Sequence, residues 1–98
     1  MRVEYTKRAT SNLRKVSEES QAFGEVVARA VDVCIRGIIT HIAEHPKAAV
    51  RVMERPGMHV IPLIRYPYKI FYRILKDSVR VLHIRHASRR PWTWEGKA

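Results

Sequence analysis

Hydrophobic and polar positions change rhythm once along the chain. Up to about residue 45 the apolar side chains recur with a helical period, and from residue 58 they alternate or run together as strands do. At the start, Val3-Glu4-Tyr5 alternates and Thr6 follows with a hydroxyl suited to a helix N-cap, which predicts a short strand feeding a helix. Ala9, Leu13 and Val16 stand at i, i+4 and i+7, so the helix runs from Thr6 to about Ser17. The polar Ser17-Glu18-Glu19-Ser20 then predicts a turn and the acidic start of a second helix. Phe23, Val27, Ala30, Val31, Cys34, Ile35, Ile38, Ile39 and Ile42 carry that helix for some twenty residues. Pro46 stops it, because the residue before a proline is pushed out of helical angles.

Lys47 to Arg55 reads as loop, and Pro56-Gly57 as a turn. Three β-branched and aromatic runs follow, Met58 to Ile64, Tyr68 to Leu75 and Val79 to His86, split by Arg65-Tyr66-Pro67 and Lys76-Asp77-Ser78. They read as consecutive antiparallel strands, the first at an edge or bulged because Pro62 cannot donate to a ladder. The expected fold is α+β in the order β-α-α-β-β-β, with two helices packed on one face of a small antiparallel sheet. One domain is expected over residues 1–98: a helical hairpin at about 6–45, a three-stranded meander at about 58–86 and a basic aromatic tail at 87–98. The second side of the middle strand, Lys69, Phe71, Arg73 and Leu75, mixes cations with apolar groups, and this side is a candidate binding surface.

Charge sharpens that picture. The 98 residues hold 19 Lys and Arg against 9 Asp and Glu, a formal +10. Residues 1–50 carry 8 basic and 6 acidic side chains, and residues 51–98 carry 11 and 3. The cationic half is therefore the strand half, and an anionic partner is expected. Cys34 is the single cysteine, which excludes an intrachain disulfide and reads as buried filler. The N-terminus lacks an apolar signal core and no uncharged stretch nears the roughly 18 residues of a membrane span, so a soluble, cytoplasmic chain is expected.

Few constellations suggest chemistry. His83 and His86 are an odd number of residues apart on a strand and should face opposite ways, while His41 and His45 lack a third ligand, so no metal and no cofactor is expected. The densest cluster runs from Arg85 through His86, Arg89 and Arg90 to Trp92 and Trp94. Arginines beside aromatics suit phosphate contact, base stacking or docking on an acidic protein. RNA cleavage would need a base, an acid and cations around the phosphate, and His86, Arg85, Arg89 and Lys69 are the right residue types.

These features together resemble the small bacterial toxins of the RelE/ParE superfamily, from type II toxin-antitoxin modules. The resemblance is carried by Val3-Glu4-Tyr5-Thr6, His45-Pro46, Glu54-Arg55-Pro56-Gly57, the tyrosine-rich Arg65 to Arg73 and the basic stretch Val81 to Trp92. It implies a growth-inhibiting toxin neutralised by an antitoxin with an acidic C-terminal segment, with plasmid stabilization as a biological role and DNA contact only through the antitoxin. One branch of the superfamily cuts mRNA in the ribosomal A site, and the ParE branch is linked to inhibition of DNA gyrase. Lys69 and Arg89 would match basic positions of the nuclease branch, yet the positions near Val60 and Pro62 lack its lysines. The Arg-His-Ala-Ser-Arg-Arg-Pro ending is similar to the ParE branch. The first expectation is therefore a non-enzymatic gyrase poison. The alternative is a metal-independent, ribosome-dependent mRNA endonuclease using His86, Lys69, Arg85 and Arg89. Antitoxin docking is expected at an apolar groove beside Leu13 and Val16 and at the cations Lys69, Arg73 and Arg85, and target docking at Arg89, Arg90, Trp92 and Trp94.

Overall fold

The computed structural model describes residues 1–47, 50–51, 57–63 and 65–86. The chain runs β1 (Arg2–Tyr5), α1 (Lys7–Gln21), α2 (Glu25–Glu44), β2 (Val50–Arg51), β3 (Met58–Pro62), β4 (Tyr68–Ile74) and β5 (Ser78–His86). The strands form one five-stranded sheet in the order β1-β5-β4-β3-β2. Both helices lie on its inner face and bury Ala9, Val16, Val31, Ile35, Ile39 and Ile42 against Ile70, Tyr72, Val79, Val81 and Ile84. The expected α+β architecture and the meander of β3, β4 and β5 are both present.

Three features differ from the sequence expectation. The sheet is mixed, because β1 pairs parallel with β5 from Arg2↔Ser78 to Tyr5↔Val81. The helical hairpin carries the chain across the sheet, so the first strand lands beside the last with the same direction. Within the stretch read as loop, Val50–Arg51 adds a two-residue strand against Val60 and His59 of β3. On the other side of β3, Pro62 pairs with Lys69 of β4. The first turn also falls later than expected. Ser17 to Ser20 continue α1, since Glu18 and Glu19 are good helix formers, and the Ser20 hydroxyl, in place of capping a new helix, donates back to the Val16 carbonyl at 2.7 Å. The break comes at Gly24, whose φ of 103° is left-handed and open to glycine at little cost. Phe23 thus sits in the turn, 76% exposed, and is not part of the core face of α2.

Thr6 ties the layers together. Its hydroxyl accepts from the Ala9 amide at 3.0 Å as the α1 N-cap and donates to the Leu82 carbonyl at 2.7 Å. Leu82 is the extra residue of a β-bulge, since Phe71 pairs with His83 while Tyr72 pairs with Val81. Beyond the bulge the Ile84 amide turns to the Asn12 side chain, at 3.0 Å. The bulge therefore shifts the alternation of β5, placing both Val81 and Ile84 in the core.

Candidate functional site

Cross-strand register assembles the site on the outer face of the sheet, away from the helices. Lys69 stands opposite Arg85, Phe71 opposite His83 and Arg73 opposite Arg80. On the other side of β4, Arg73 pairs with Met58 and Lys69 with Pro62. Directly opposed side chains on one face lie close enough to touch, so two cationic pairs, Lys69 with Arg85 and Arg73 with Arg80, flank a central aromatic pair. The His83 ring lies nearly flat on Phe71, with centroids 4.5 Å apart and planes 27° apart. Phe71 and Met58 are buried, and Lys69, Arg73, His83 and Arg85 are half-buried. The face is thus a cationic band around a packed apolar centre.

Charge is graded along the band. At the β1 end the Glu4 carboxylate accepts from Arg80 Nε and Nη2 at 3.2 and 3.1 Å, and Arg2 approaches it at 3.4 Å. The hydrogen bond from Arg80 holds the Glu4 pKa below its ordinary 4.5, against a smaller opposing effect of desolvation. At the other end Arg73 projects over the Gly57 turn, its guanidinium 3.6 Å from where a side chain at that position would begin. Two arginines thus share one carboxylate near β1, which offsets one of their charges, and among the described residues Lys69, Arg73 and Arg85 add positive charge toward the other side.

His86 is on the other side of the sheet. It pairs with Tyr68 and meets the edge of that ring at a centroid distance of 5.1 Å. The Tyr68 hydroxyl donates to Glu19 at 3.0 Å, and His86 lines a small cleft of about 150 Å³ with its neighbour Arg85 and with Arg8, Asn12 and Lys15 of α1. The set His86, Arg85, Arg89 and Lys69 is therefore divided: Lys69 and Arg85 are register partners, His86 lies across the sheet, and Arg89 falls outside the described residues. Arg90, Trp92 and Trp94 fall outside them too. His83 takes the place on the cationic face that sequence reasoning gave to His86. Alternation alone places His83 and His86 on opposite faces but leaves open which one shares a face with Lys69, and that depends on the bulge at Leu82.

A groove does run beside Leu13 and Val16, and its lining is mixed, with Ser17, Ser20, Glu25, Asp32 and Arg36 among the apolar side chains. Leu13 and Val16 of α1 line a groove of about 670 Å³ that continues along Val31, Ile35 and Ile39 of α2, with Tyr5 at its border. The groove lies between the helices, and Val16 is one of its buried walls. Desolvation raises the Tyr5 pKa above 10.0, with Arg36 opposing. His41 and His45 are neighbours, with ring centroids 5.1 Å apart, but no group of three or more metal-ligating side chains occurs among the described residues.

The chain as a whole matches the family model described as the ParE toxin of the type II toxin-antitoxin system, parDE, over residues 3–91. It belongs to that family, and so to the toxins of type II toxin-antitoxin systems. No curated protein matches the chain. Among solved structures, it is similar to the chromosomal ParDE toxin-antitoxin system from P. aeruginosa, at 20% identity and a TM-score of 0.77 over 90% of this chain and 97% of that one. The intact E. coli RelBE toxin-antitoxin complex matches at 21% identity and a TM-score of 0.67, over 90% and 98%. The isolated E. coli RelE toxin matches at 20% identity and 0.66, over 96% and 92%. These likenesses show a shared fold. No helix among the described residues is long and apolar enough to cross a membrane.

Proposed function

We propose that the chain arrests growth by inhibiting DNA gyrase and is neutralised by an acidic antitoxin. The observation that supports this reading is the separation of His86 from Lys69, because a nuclease built on that pair needs both beside one phosphate and the register sets them on opposite faces of the sheet, although Arg85 lines the His86 cleft. Membership of the ParE family supports the same branch. The antitoxin's apolar anchors lie in the groove beside Leu13 and Val16, and its acidic segment follows the cations Lys69, Arg73 and Arg85. In a supercoiling assay with purified chain, gyrase inhibition relieved by added antitoxin is the expected result. A preparation that binds antitoxin yet leaves supercoiling untouched contradicts the proposal.

A second reading has one specific observation in its favour. His83 shares the cationic face with Lys69 and Arg85, stacked on Phe71, so a titratable imidazole does stand beside the phosphate-binding residue types there. On this reading the chain is a ribosome-dependent mRNA endonuclease, and His83→Ala abolishes growth arrest at unchanged protein level. Full toxicity of that variant removes the reading.

A further inference from the structure

Beyond Val81 the strand β5 loses its neighbour, because β1 ends at the pair Tyr5↔Val81. Leu82 to His86 therefore form a sheet edge, and side chains of the α1 end cover its first part. The Thr6 hydroxyl donates to the Leu82 carbonyl, and the Asn12 side-chain oxygen accepts from the Ile84 amide. Past Ile84 lies the cleft of about 150 Å³ between α1 and the strand end. Buried Val16, Tyr68 and Ile84 make its floor. On α1, Arg8, Asn12, Lys15 and Glu19 follow one another at spacings of four, three and four, so one polar stripe of the helix supplies a wall. Arg85 and His86 supply the other. With no strand beyond it, Arg85 lines the cleft although its register partner Lys69 belongs to the outer face.

Charge and donor chemistry select the occupant. Among the described residues the lining holds three cations, Arg8, Lys15 and Arg85, and one carboxylate, Glu19, a net +2 with His86 counted neutral. Glu19 accepts from the Tyr68 hydroxyl at 3.0 Å. The Asn12 oxygen is engaged by the Ile84 amide at 3.0 Å, so its amide group has N–H donors left to offer. Arginine and lysine are donors only. A donor-rich lining calls for a ligand that accepts, and the apolar floor strengthens the attraction by lowering the local dielectric. A carboxylate or a bridging phosphodiester brings a single negative charge. A terminal phosphate brings close to two near pH 7, on three strong acceptor oxygens. It is the terminal phosphate that matches both the charge and the donors.

We infer that this cleft binds a terminal phosphate group, as inorganic phosphate or as a phosphomonoester, held by Arg8 and Lys15 from α1 and by Arg85 from β5. The inference does not depend on which cellular target the toxin has.

Calorimetric titration of the purified full chain with inorganic phosphate near pH 7, at an ionic strength held constant with chloride, should show saturable binding of one phosphate per chain. Arg8→Gln combined with Lys15→Gln should weaken it at least about tenfold. Both side chains are exposed, so this variant should melt with the parent. Lys7→Gln combined with Arg14→Gln removes the same charge from α1 outside the cleft lining and should change binding less than about twofold. Magnetic resonance of the parent tests the location without any substitution, since phosphate should shift the Asn12 side-chain amide and His86 more than Lys69 and Arg73. Methyl phosphate should bind as well as inorganic phosphate if the ligand is an ester, and at least about tenfold more weakly if it is the free ion. Absence of saturable binding up to about 10 mM phosphate overturns the inference. So does an equal loss in the Lys7 and Arg14 variant, or shifts confined to the outer face. Acetate or dimethyl phosphate binding as tightly as inorganic phosphate overturns it as well, and assigns the cleft to a carboxylate or to a nucleic-acid backbone.

Discussion

Glu4 shows how one side chain sets the charge balance of a surface. It is bound by two hydrogen bonds from Arg80 and approached by Arg2, so its carboxyl titrates below 4.5 in the folded chain. A carboxylate with a depressed folded pKa contributes stability that is present above the unfolded value and is lost as pH falls through the folded one. Glu4→Gln should therefore lower stability slightly at pH 7, and the difference from the parent should shrink as pH falls through the lowered carboxyl pKa and vanish below it. Urea unfolding at a series of pH values checks this, and a difference that persists at the acid end contradicts it. The same substitution releases Arg80 and Arg2, raising the positive field on the outer face.

Among the elements, the joint between α1 and β5 does most to position the site. The Thr6 hydroxyl serves as N-cap and as a tie to the Leu82 carbonyl at the bulge, and the bulge decides which β5 side chains face outward. Thr6→Ala removes both hydrogen bonds, at a cost of about 2 kcal/mol. A thermal melt should show a fall of about 10 °C for a domain of this size, while an unchanged melt means that water replaces both bonds at no cost. Much of this level was legible in the sequence. The period of Ala9, Leu13 and Val16, the cap at Thr6, the stop at Pro46 and the three strand runs each rest on local rules, and each element formed. What escaped was non-local. The direction of β1 depends on which strand it meets, the extra pair Val50–Arg51 on the proximity of β3, and the face of His83 on a one-residue bulge that no local pattern announces. Phe23 kept the helical rhythm on paper but fell beyond the Gly24 break, and so became an exposed side chain in place of a core one.

For the whole molecule, the asymmetry of charge is the organising fact. The candidate site pairs were each visible as residue types, but only the register brought Lys69 to Arg85 and sent His86 to the helix side. A cationic face of this kind steers an acidic partner over distance, and salt screens that effect. Association of the chain with its antitoxin should thus slow at least about tenfold between low and high ionic strength. Arg73→Glu should slow it further at low salt, with little change in the dissociation rate. Stopped-flow or surface-binding kinetics measure both, and an on-rate indifferent to salt and to Arg73 removes this face from the docking surface.

The central claim, a gyrase poison whose histidines take no part in chemistry, is tested most directly by a supercoiling and DNA-cleavage assay run side by side on the parent chain and on His83→Ala, with and without antitoxin. Equal inhibition by both chains, relieved by antitoxin, is the result expected here. A parent chain inert toward gyrase while still bound by its antitoxin, together with loss of growth arrest in His83→Ala, would contradict it and establish the cationic face as a site of RNA cleavage.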